Sequence, residues 1–290
     1  MGSPKVKVSI IILSWNTKQL LRNCLKSLKD MAIEVIVVDN GSTDDSPTMV
    51  AKEFPQVRLI KNKKNLGFGA ANNQGMKAAT GDYFLLLNSD TVVKDQAPLK
   101  MAAFLAKNPR VGAVGCKLLN PDDSPQPSAG PFPGLKVSFI MLFLEHWLGD
   151  LVRFSFKETK EVDWVMGAAL MIRREVLSKA GLMDEKMFMY MDEVEWCYRL
   201  KKAGFKVMFY PGAAIVHLGG GSSKTGRQDP ILNIYRGLLY FYQKHYSDWQ
   251  LKILQFMLKL KAREAIILGW LANNHYLKQT YAEALKIVKN

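Results

Sequence analysis

The chain has 290 residues with 48% hydrophobic and 23% charged content, the balance of an ordinary globular protein and not of a disordered one. A formal net charge of +14 points to an anionic partner: nucleic acid, an anionic membrane surface or a phosphorylated substrate. Cys24, Cys116 and Cys197 are too few and too scattered for a disulfide framework, and the longest apolar runs, such as Phe139 to Leu144, fall far short of the roughly 20 residues that span a bilayer. The cysteine usage favours a reducing compartment, and the first residues enter a strand without a signal-peptide pattern.

Val6 to Leu13 is rich in β-branched residues and predicts a buried strand. It ends at Ser14-Trp15-Asn16-Thr17, after which Leu20, Leu21, Cys24, Leu25 and Leu28 recur at helical spacing, with Asn16 or Thr17 as N-cap. Ile33 to Val38 predicts a second strand closed by the polar stretch Asp39 to Asp45; a helix runs on to about Phe54, and Val57 to Ile60 gives a third strand. Strands and helices alternating over short connections form right-handed βαβ units and a mostly parallel sheet.

Gly67 and Gly69 precede a helix rich in Ala and Asn. Asn72 stands where a dinucleotide loop has its third glycine, and the segment follows a Lys/Asn turn instead of a strand, so a dinucleotide site is excluded. Two readings of Asn65 to Gly75 stay open: close backbone approach to a sugar or phosphate, or a glycine turn with a polar helix start. Tyr83 to Leu87 is a continuous apolar run, the signature of a strand covered on both faces, and it stops at Asn88-Ser89-Asp90. Open α/β sheets place ligands at such carboxyl ends, where Asp90 can offer oxygen to a hard divalent cation; a plain turn is the alternative.

A helix from about Gln96 to Lys107 and strand signals at Val111 to Val114 and Lys117 to Leu119 come next. The proline-rich stretch Asn120 to Pro133 is long enough for a functional loop and is expected to shape an acceptor site. Gly134 to Phe156 carries a dense apolar patch, expected to be buried, with an exposed acceptor or membrane contact as the alternative. Strand-like sequence returns at Val162 to Glu175 and at Lys206 to Tyr210 and Ala213 to His217, the last ending in a Gly-Gly-Gly turn. From Asn233 the character is helical, with nine basic residues against three acidic ones, so residues 1–232 form the main domain and 233–290 a basic amphipathic region. Leu254, Met257, Leu258 and Leu260 are expected on one side of its central helix, and Lys252, Lys259 and Arg263 on the other. An interfacial membrane helix and a helix hairpin packed on the main domain share this pattern.

Two features favour an enzyme. Asp192, Glu193 and Glu195 lie in an apolar, helix-like stretch; neighbours on a helix diverge by about 100°, so one of Asp192 and Glu193 serves as general base. Glu195 and Arg199 have the spacing of a surface ion pair. His217 ends a buried strand and can join Asp90 as a second metal ligand, although a lone histidine is more often a satisfied polar residue.

SIIILSWNT at 9–17, VVDNGSTDDS at 37–46, NLGFGAANNQGM at 65–76, LLLNSDT at 85–91, WVMGAALMIRREV at 164–176, MYMDEVEWCYRLKKAGFKV at 189–207 and VHLGGGSS at 216–223 occur in this order. Together they resemble glycosyltransferase family 2, in the manner of rhamnosyltransferase-like bacterial members that build cell-surface polysaccharides. The resemblance implies a GT-A fold, a Rossmann-like, mostly parallel mixed sheet flanked by helices, here with a C-terminal helical extension. It implies inverting transfer of a sugar, rhamnose from dTDP-rhamnose in the nearest flavour, to a glycan or polyprenyl-diphosphate-linked glycan. Ser14, Trp15, Asn16, Asp39, Asn65, Gly67, Asn72, Asn88, Ser89 and Asp90 would bind the nucleotide-sugar donor, and Trp164, Met166 and Gly167 the acceptor. Asp90 and His217 would hold Mg²⁺ or Mn²⁺, and Glu193, paired with Asp192, would be the base. The family's Asp-x-Asp is Asn88-Ser-Asp90 here and its Glu-Asp pair is Asp192-Glu193, so one carboxylate is left for the metal and the base stays open between neighbours. The resemblance implies a cytoplasmic enzyme, peripheral on the inner face of the cytoplasmic membrane through its C-terminal helices, with no nucleic-acid partner. The competing readings are a non-enzymatic nucleic-acid- or membrane-binding protein and an NDP-sugar nucleotidyltransferase, which would need a basic triphosphate loop that Ser9 to Thr17 lacks.

Overall fold

The computed structural model describes residues 7–219 and 228–289. Its strands are β1 (Val8–Ser14), β2 (Glu34–Asp39), β3 (Arg58–Lys61), β4 (Tyr83–Asn88), β5 (Thr91–Val93), β6 (Val111–Leu119), β7 (Pro125–Gln126), β8 (Ala129–Gly130), β9 (Lys160–Val162), β10 (Trp164–Val165), β11 (Ala169–Arg173) and β12 (Lys206–His217). The main sheet runs β3-β2-β1-β4-β11-β6-β12-β5, with β7 on β6 and β9 on β12, while β8 and β10 form a small ribbon. All strands of the main path are parallel except β11 and β5. The two strand signals on either side of Cys116 are one strand, and those flanking Gly212 are one strand with a register shift between Tyr210 and Ala214.

Helices cover both faces because β1 and β4 are apolar on both. Ile10 and Ile12 pack with Leu21, Leu25, Val50 and Met101 from α1 (Lys18–Leu28), α2 (Ser46–Glu53) and, past α3 (Phe68–Ala78), α4 (Ala97–Lys107). Ile11, Phe84 and Leu86 pack on the other face with Met76 of α3 and with α7 (Val176–Ala180) and α8 (Asp192–Lys202), whose Trp196 is wholly buried. The patch at Gly134 to Phe156 forms α5 (Leu135–Phe139), a π turn (Ile140–Leu144), α6 (Glu145–Leu148) and a 3₁₀ turn (Gly149–Leu151). Its expected burial holds for Ser138, Ile140 and Val152, whereas Phe139, Trp147, Leu148 and Leu151 are exposed. Cys24, Cys116 and Cys197 are buried and unpaired, and burial pushes each thiol up to about 12, so none is a ready nucleophile.

The C-terminal region consists of α9 (Gln228–His245), α10 (Asp248–Leu271) and α11 (His275–Lys289). Leu238, Phe241 and Tyr242, with Leu254 and Leu258, form a third core that takes in Met187 and Met191 before α8 and Val194 in its first turn. Of the four residues expected on one side, Leu254, Met257 and Leu258 are buried, but Leu260 is exposed. It lies four residues after the exposed Phe256, in a stripe with Trp249, Ile253, Ile267 and Leu271, because the inward face of α10 is used up by the 254–258–265 row.

The Glu195–Arg199 pair is not a surface pair. Glu195 is wholly buried and receives Arg199 Nε at 2.9 Å, Lys244 Nζ at 2.9 Å and His245 Nε2 at 3.0 Å. It therefore fastens α9 to α8, which no reading of α8 alone reveals. Nearby Asp184 accepts from Tyr240 at 2.8 Å and from Lys244. Burial raises its carboxyl, but hydrogen bonds from Lys244, the Lys186 amide and Tyr240 together outweigh this and bring it down to about 2. A lowered folded-state value contributes stability above the ordinary 3.8 that is lost as pH falls through about 2. Denaturant unfolding across that acid window should give a smaller pH slope for Asp184→Asn than for the wild type; equal slopes would dissociate this contact from acid stability.

Candidate active site

Parallel pairing brings Ser14 opposite Asp39 and Leu13 opposite Asn88, so β1, β2 and β4 end at one edge. The residues that follow form a polar floor. Asn16 adopts a left-handed conformation (φ 53°), which asparagine tolerates better than most residues. Its N–H donates to Ser42 Oγ at 2.9 Å and its Oδ1 accepts from the Thr43 amide at 2.7 Å, joining the loops after β1 and β2. Hydroxyls of Ser14, Thr17 and Ser89 form a chain with 3.0 and 2.9 Å steps from β1 to β4. Trp15 is half-buried beside them.

Asp39 is buried, and its Oδ2 accepts from the Ser42 amide at 3.1 Å. Its Oδ1 is also buried and has no hydrogen-bond partner among the described residues. An acceptor left so costs about 1–3 kcal/mol, which a ligand donor would recover. Asn40, which the sequence reading passed over, organises the next loop. Its Nδ2 donates to Asn65 Oδ1 at 2.8 Å and to Gly67 O at 3.3 Å, and its Oδ1 accepts from the Leu66 amide at 3.0 Å. The signal for it was its place directly after a buried strand.

The close approach predicted at the glycine loop is to the chain's own backbone. Gly67 has φ 86°, and a Cβ there would lie 2.4 Å from Phe188 O, which accepts from the Phe68 amide at 2.7 Å. Asn65 spends its Oδ1 on Asn40 and on the Gly67 amide, and buried Asn72 donates to Phe68 O within α3. Gly67 and Phe68 thus hold the loop against the segment that leads into α8, while Asn65 and Asn72 brace the loop and the start of α3 internally.

Asp90 and His217 come together across the β5–β12 pair, in which His217 faces Thr91. His217 Nε2 lies 3.4 Å from Asp90 Oδ1 and 3.4 Å from Asn88 Nδ2, and His217 Nδ1 lies 2.8 Å from Gln126 Oε1. A carboxylate and an imidazole at this separation fit adjacent positions on one small divalent ion, whose other positions diphosphate oxygens and water would fill. The donor set is sparse: among the described residues no three His, Cys, Asp or Glu side chains gather as a metal cluster. The turn predicted after His217 extends into residues 220–223, outside the described residues.

α8 delivers the acidic pair to the same corner. The Asn88 amide donates to Ala168 O at 3.0 Å, and the neighbouring Gly167 amide approaches Glu193 Oε1 at 3.5 Å. Asp192 is buried, with Oδ2 unpartnered among the described residues. Burial first, then the charge of Glu193 and a hydrogen bond with it, push the Asp192 carboxyl well above the ordinary range. Burial thus disfavours the charged form of Asp192, while Glu193 is half-buried. The two side chains touch, although they diverge on the helix. Of the acceptor candidates, Gly167 adjoins Glu193 and the Phe68 ring; Met166 donates its amide to Ser128 O at 2.8 Å, and Trp164 anchors β10 through Nε1 to Pro131 O at 2.9 Å.

A mixed sheet covered on both faces, with a polar floor, an Asp–His pair and a carboxylate at one edge, is the framework of a GT-A glycosyltransferase. Glycosyl transferase family 2 matches over residues 9–181, and the chain belongs to this family and is a glycosyltransferase. It is 28% identical over 267 residues, 83% of the chain and 85% of the relative, to N-acetylglucosaminyl-diphospho-decaprenol L-rhamnosyltransferase of Mycobacterium tuberculosis. It is 32% identical over 77% of its length to the O-antigen biosynthesis protein RfbC of Myxococcus xanthus, of which it spans 18%. In fold it is similar to the mannosyltransferase PcManGT of Pyrobaculum calidifontis, solved with GDP-Man and Mn²⁺ (TM-score 0.59, 18% identity, 99% of this chain and 87% of that one). It is also similar to GalNAc-T7, solved with UDP, GalNAc and Mn²⁺ (TM-score 0.61, 16% identity, 98% and 56%).

Proposed function

We propose that this chain is an inverting glycosyltransferase that moves a sugar, rhamnose from dTDP-rhamnose, to a polyprenyl-diphosphate-linked glycan in cell-surface polysaccharide synthesis. The observation that carries this reading is the meeting of Asp90, His217 and Glu193 around the end of β4. The rhamnosyltransferase relative, named for a diphospho-decaprenol acceptor, supports rhamnose as the sugar and a lipid-linked acceptor. Asp39 Oδ1 takes a donor group of the nucleotide, and the Ser14–Asn16 and Asn88–Asp90 edges flank the sugar diphosphate. Mg²⁺ or Mn²⁺, held by Asp90 and His217, would neutralise charge on the departing diphosphate. Glu193 receives the proton of the acceptor hydroxyl as that oxygen attacks the anomeric carbon from the face opposite the diphosphate, which inverts the configuration. Trp164, Met166 and Gly167, with the 120–133 segment, border the acceptor.

In this reading residues 1–232 carry out transfer and residues 233–290 rest on the cytoplasmic face of the membrane. Among the described residues no helix is long and apolar enough to cross a bilayer. α10 instead exposes Trp249, Ile253, Phe256, Leu260, Ile267, Trp270 and Leu271 beside Lys252 and Arg263, a pattern suited to lying in an anionic interface.

Calorimetric titration with dTDP, UDP and GDP, each with and without Mn²⁺, should give metal-enhanced binding of dTDP that Asp90→Ala loses; preference for another nucleotide would replace the donor, and no binding would refute the reading. Glu193→Gln should lower kcat by about 10²–10⁴, whereas Asp192→Asn, isosteric with the protonated acid, costs far less; the reverse order would move the base to Asp192. Trp249→Ser with Phe256→Ser should weaken co-sedimentation with anionic vesicles at least about tenfold, and equal wild-type binding to neutral vesicles would remove the electrostatic part.

A further inference from the structure

The hairpin between β6 and β7 ends against His217. β7 folds back on β6, with Gln126 opposite Leu118 and Pro125 opposite Leu119. Inside the hairpin the Asn120 amide donates to Ser124 O at 2.9 Å, and the Ser124 amide and hydroxyl donate to Asp122 Oδ1 at 3.0 and 2.6 Å. Asn120 Nδ2 donates to Ser124 Oγ at 2.9 Å, Gln126 Nε2 donates to Asn120 Oδ1 at 3.0 Å, and His217 Nδ1 meets Gln126 Oε1 at 2.8 Å. A line of hydrogen bonds thus runs from an exposed carboxylate to the imidazole.

The direction of every bond in this line follows from its first member. An ionised carboxylate only accepts, and the bonds from Ser124 hold Asp122 below the usual carboxylate range. Ser124 has one hydroxyl proton and spends it on Asp122, so toward Asn120 its oxygen must accept. Asn120 therefore presents its NH₂ to Ser124 and its oxygen to Gln126, and Gln126 presents its NH₂ to Asn120 and its oxygen to His217. A second constraint agrees: Gln126 Nε2 also lies 3.4 Å from the His217 carbonyl, which can only accept. Gln126 Oε1 can only accept as well, so Nδ1 carries a proton of His217, and in the neutral ring the lone pair is on Nε2.

That lone pair faces Asp90 Oδ1 at 3.4 Å, with Asn88 Nδ2, a donor, at the same distance. Asn88 Nδ2 can donate to that lone pair, and a divalent cation would take it together with Asp90. We propose that the Asn120–Asp122–Ser124–Gln126 hairpin is a positioning device that locks His217 in its Nδ1–H tautomer and so presents Nε2, with Asp90, to a divalent cation. Gln126 acts through His217 and is a positioning residue. The proposal rests on the glycosyltransferase reading for its purpose and on the hydrogen-bond line for its geometry.

The tautomer can be read without metal or substrate. Long-range ¹H–¹⁵N correlation spectra of labelled, metal-free protein at mildly alkaline pH separate the four histidines of the chain, with His217→Gln identifying the signals of interest. The wild type should show His217 protonated on Nδ1 alone. Gln126→Ala should lose that signature, and Ser124→Ala, which removes the start of the line but keeps the bond from Gln126 Nε2 to the His217 carbonyl, should weaken it to a mixture of tautomers and serves if Gln126→Ala does not fold. Asn120→Asp, which still accepts from Gln126 Nε2, should keep it. Titration with Mn²⁺ alone, followed by the loss of its paramagnetic resonance signal, should be about 10- to 100-fold weaker for Gln126→Ala. A wild-type proton on Nε2, or one on each nitrogen, overturns the proposal, as does Mn²⁺ affinity equal in wild type and Gln126→Ala. An Nδ1 proton in a protein that binds no Mn²⁺ upholds the lock and refutes the metal reading instead.

Discussion

Burial of β1 and β4 on both faces is the constraint from which the site follows. A strand with packed helices above and below has no room along its length for an uncompensated polar side chain, so chemistry can collect only where the strand ends. Parallel pairing then places the ends of β1, β2 and β4 side by side, and Ser14, Asp39 and Asn88 become neighbours without any long-range search. The antiparallel insertion of β11 next to β4 is equally necessary. It runs away from this edge and so begins there, which sets Gly167 and Ala168 against Asn88 and gives Glu193 a surface to reach.

α8 joins this edge to the C-terminal helices. Glu193 and Glu195 are two residues apart, about 200° around the helix, so one addresses Gly167 and the other the interior of the α8–α9 contact. A buried carboxylate with two cationic partners and an imidazole is not in itself a large source of stability, since desolvation offsets much of the attraction. Its geometric consequence is firmer: α9 cannot rotate or slide without breaking the bonds from Lys244 and His245 to Glu195. The close contact of Gly67 with Phe188 fixes the front of α8 in the same way.

Much of this was legible in the sequence because burial writes itself into uninterrupted apolar runs. Tyr83 to Leu87, its stop at Asn88-Ser89-Asp90, and His217 at the end of another such run led to the Asp–His pair before any coordinates. The parts that were not legible depend on partners far along the chain. The i,i+4 spacing of Glu195 and Arg199 is the same on a surface and in a core, and α9 decides between them about 50 residues later. Gly67 signalled close approach but not to what. Asn40 and Gln126 are common polar residues whose roles arise from hydrogen-bond direction, a property that sequence spacing does not encode. Leu260 was grouped with Leu254, Met257 and Leu258 because it is apolar, yet helix geometry gives the inward face to the other three.

The proposed membrane contact gains its physical sense from what α10 cannot do. Its 24 residues rise about 36 Å, enough to cross a hydrocarbon core. Lys252, Lys259, Lys261, Arg263 and Glu264 fall along its middle, and each ionised group near a bilayer centre costs several kcal/mol. Lying in the interface removes that conflict. Exposed Trp249, Phe256 and Ile267 then leave water, each contributing about 1.5–3 kcal/mol if fully covered, while basic residues near an anionic surface add roughly 1 kcal/mol each. Such a contact is reversible, and the buried row of α10, packed on α9, carries its orientation to α8 and thus to Glu193. In the proposed reading, an acceptor anchored in lipid would need this combination, a face that stays with the membrane and a packed link from that face to Glu193.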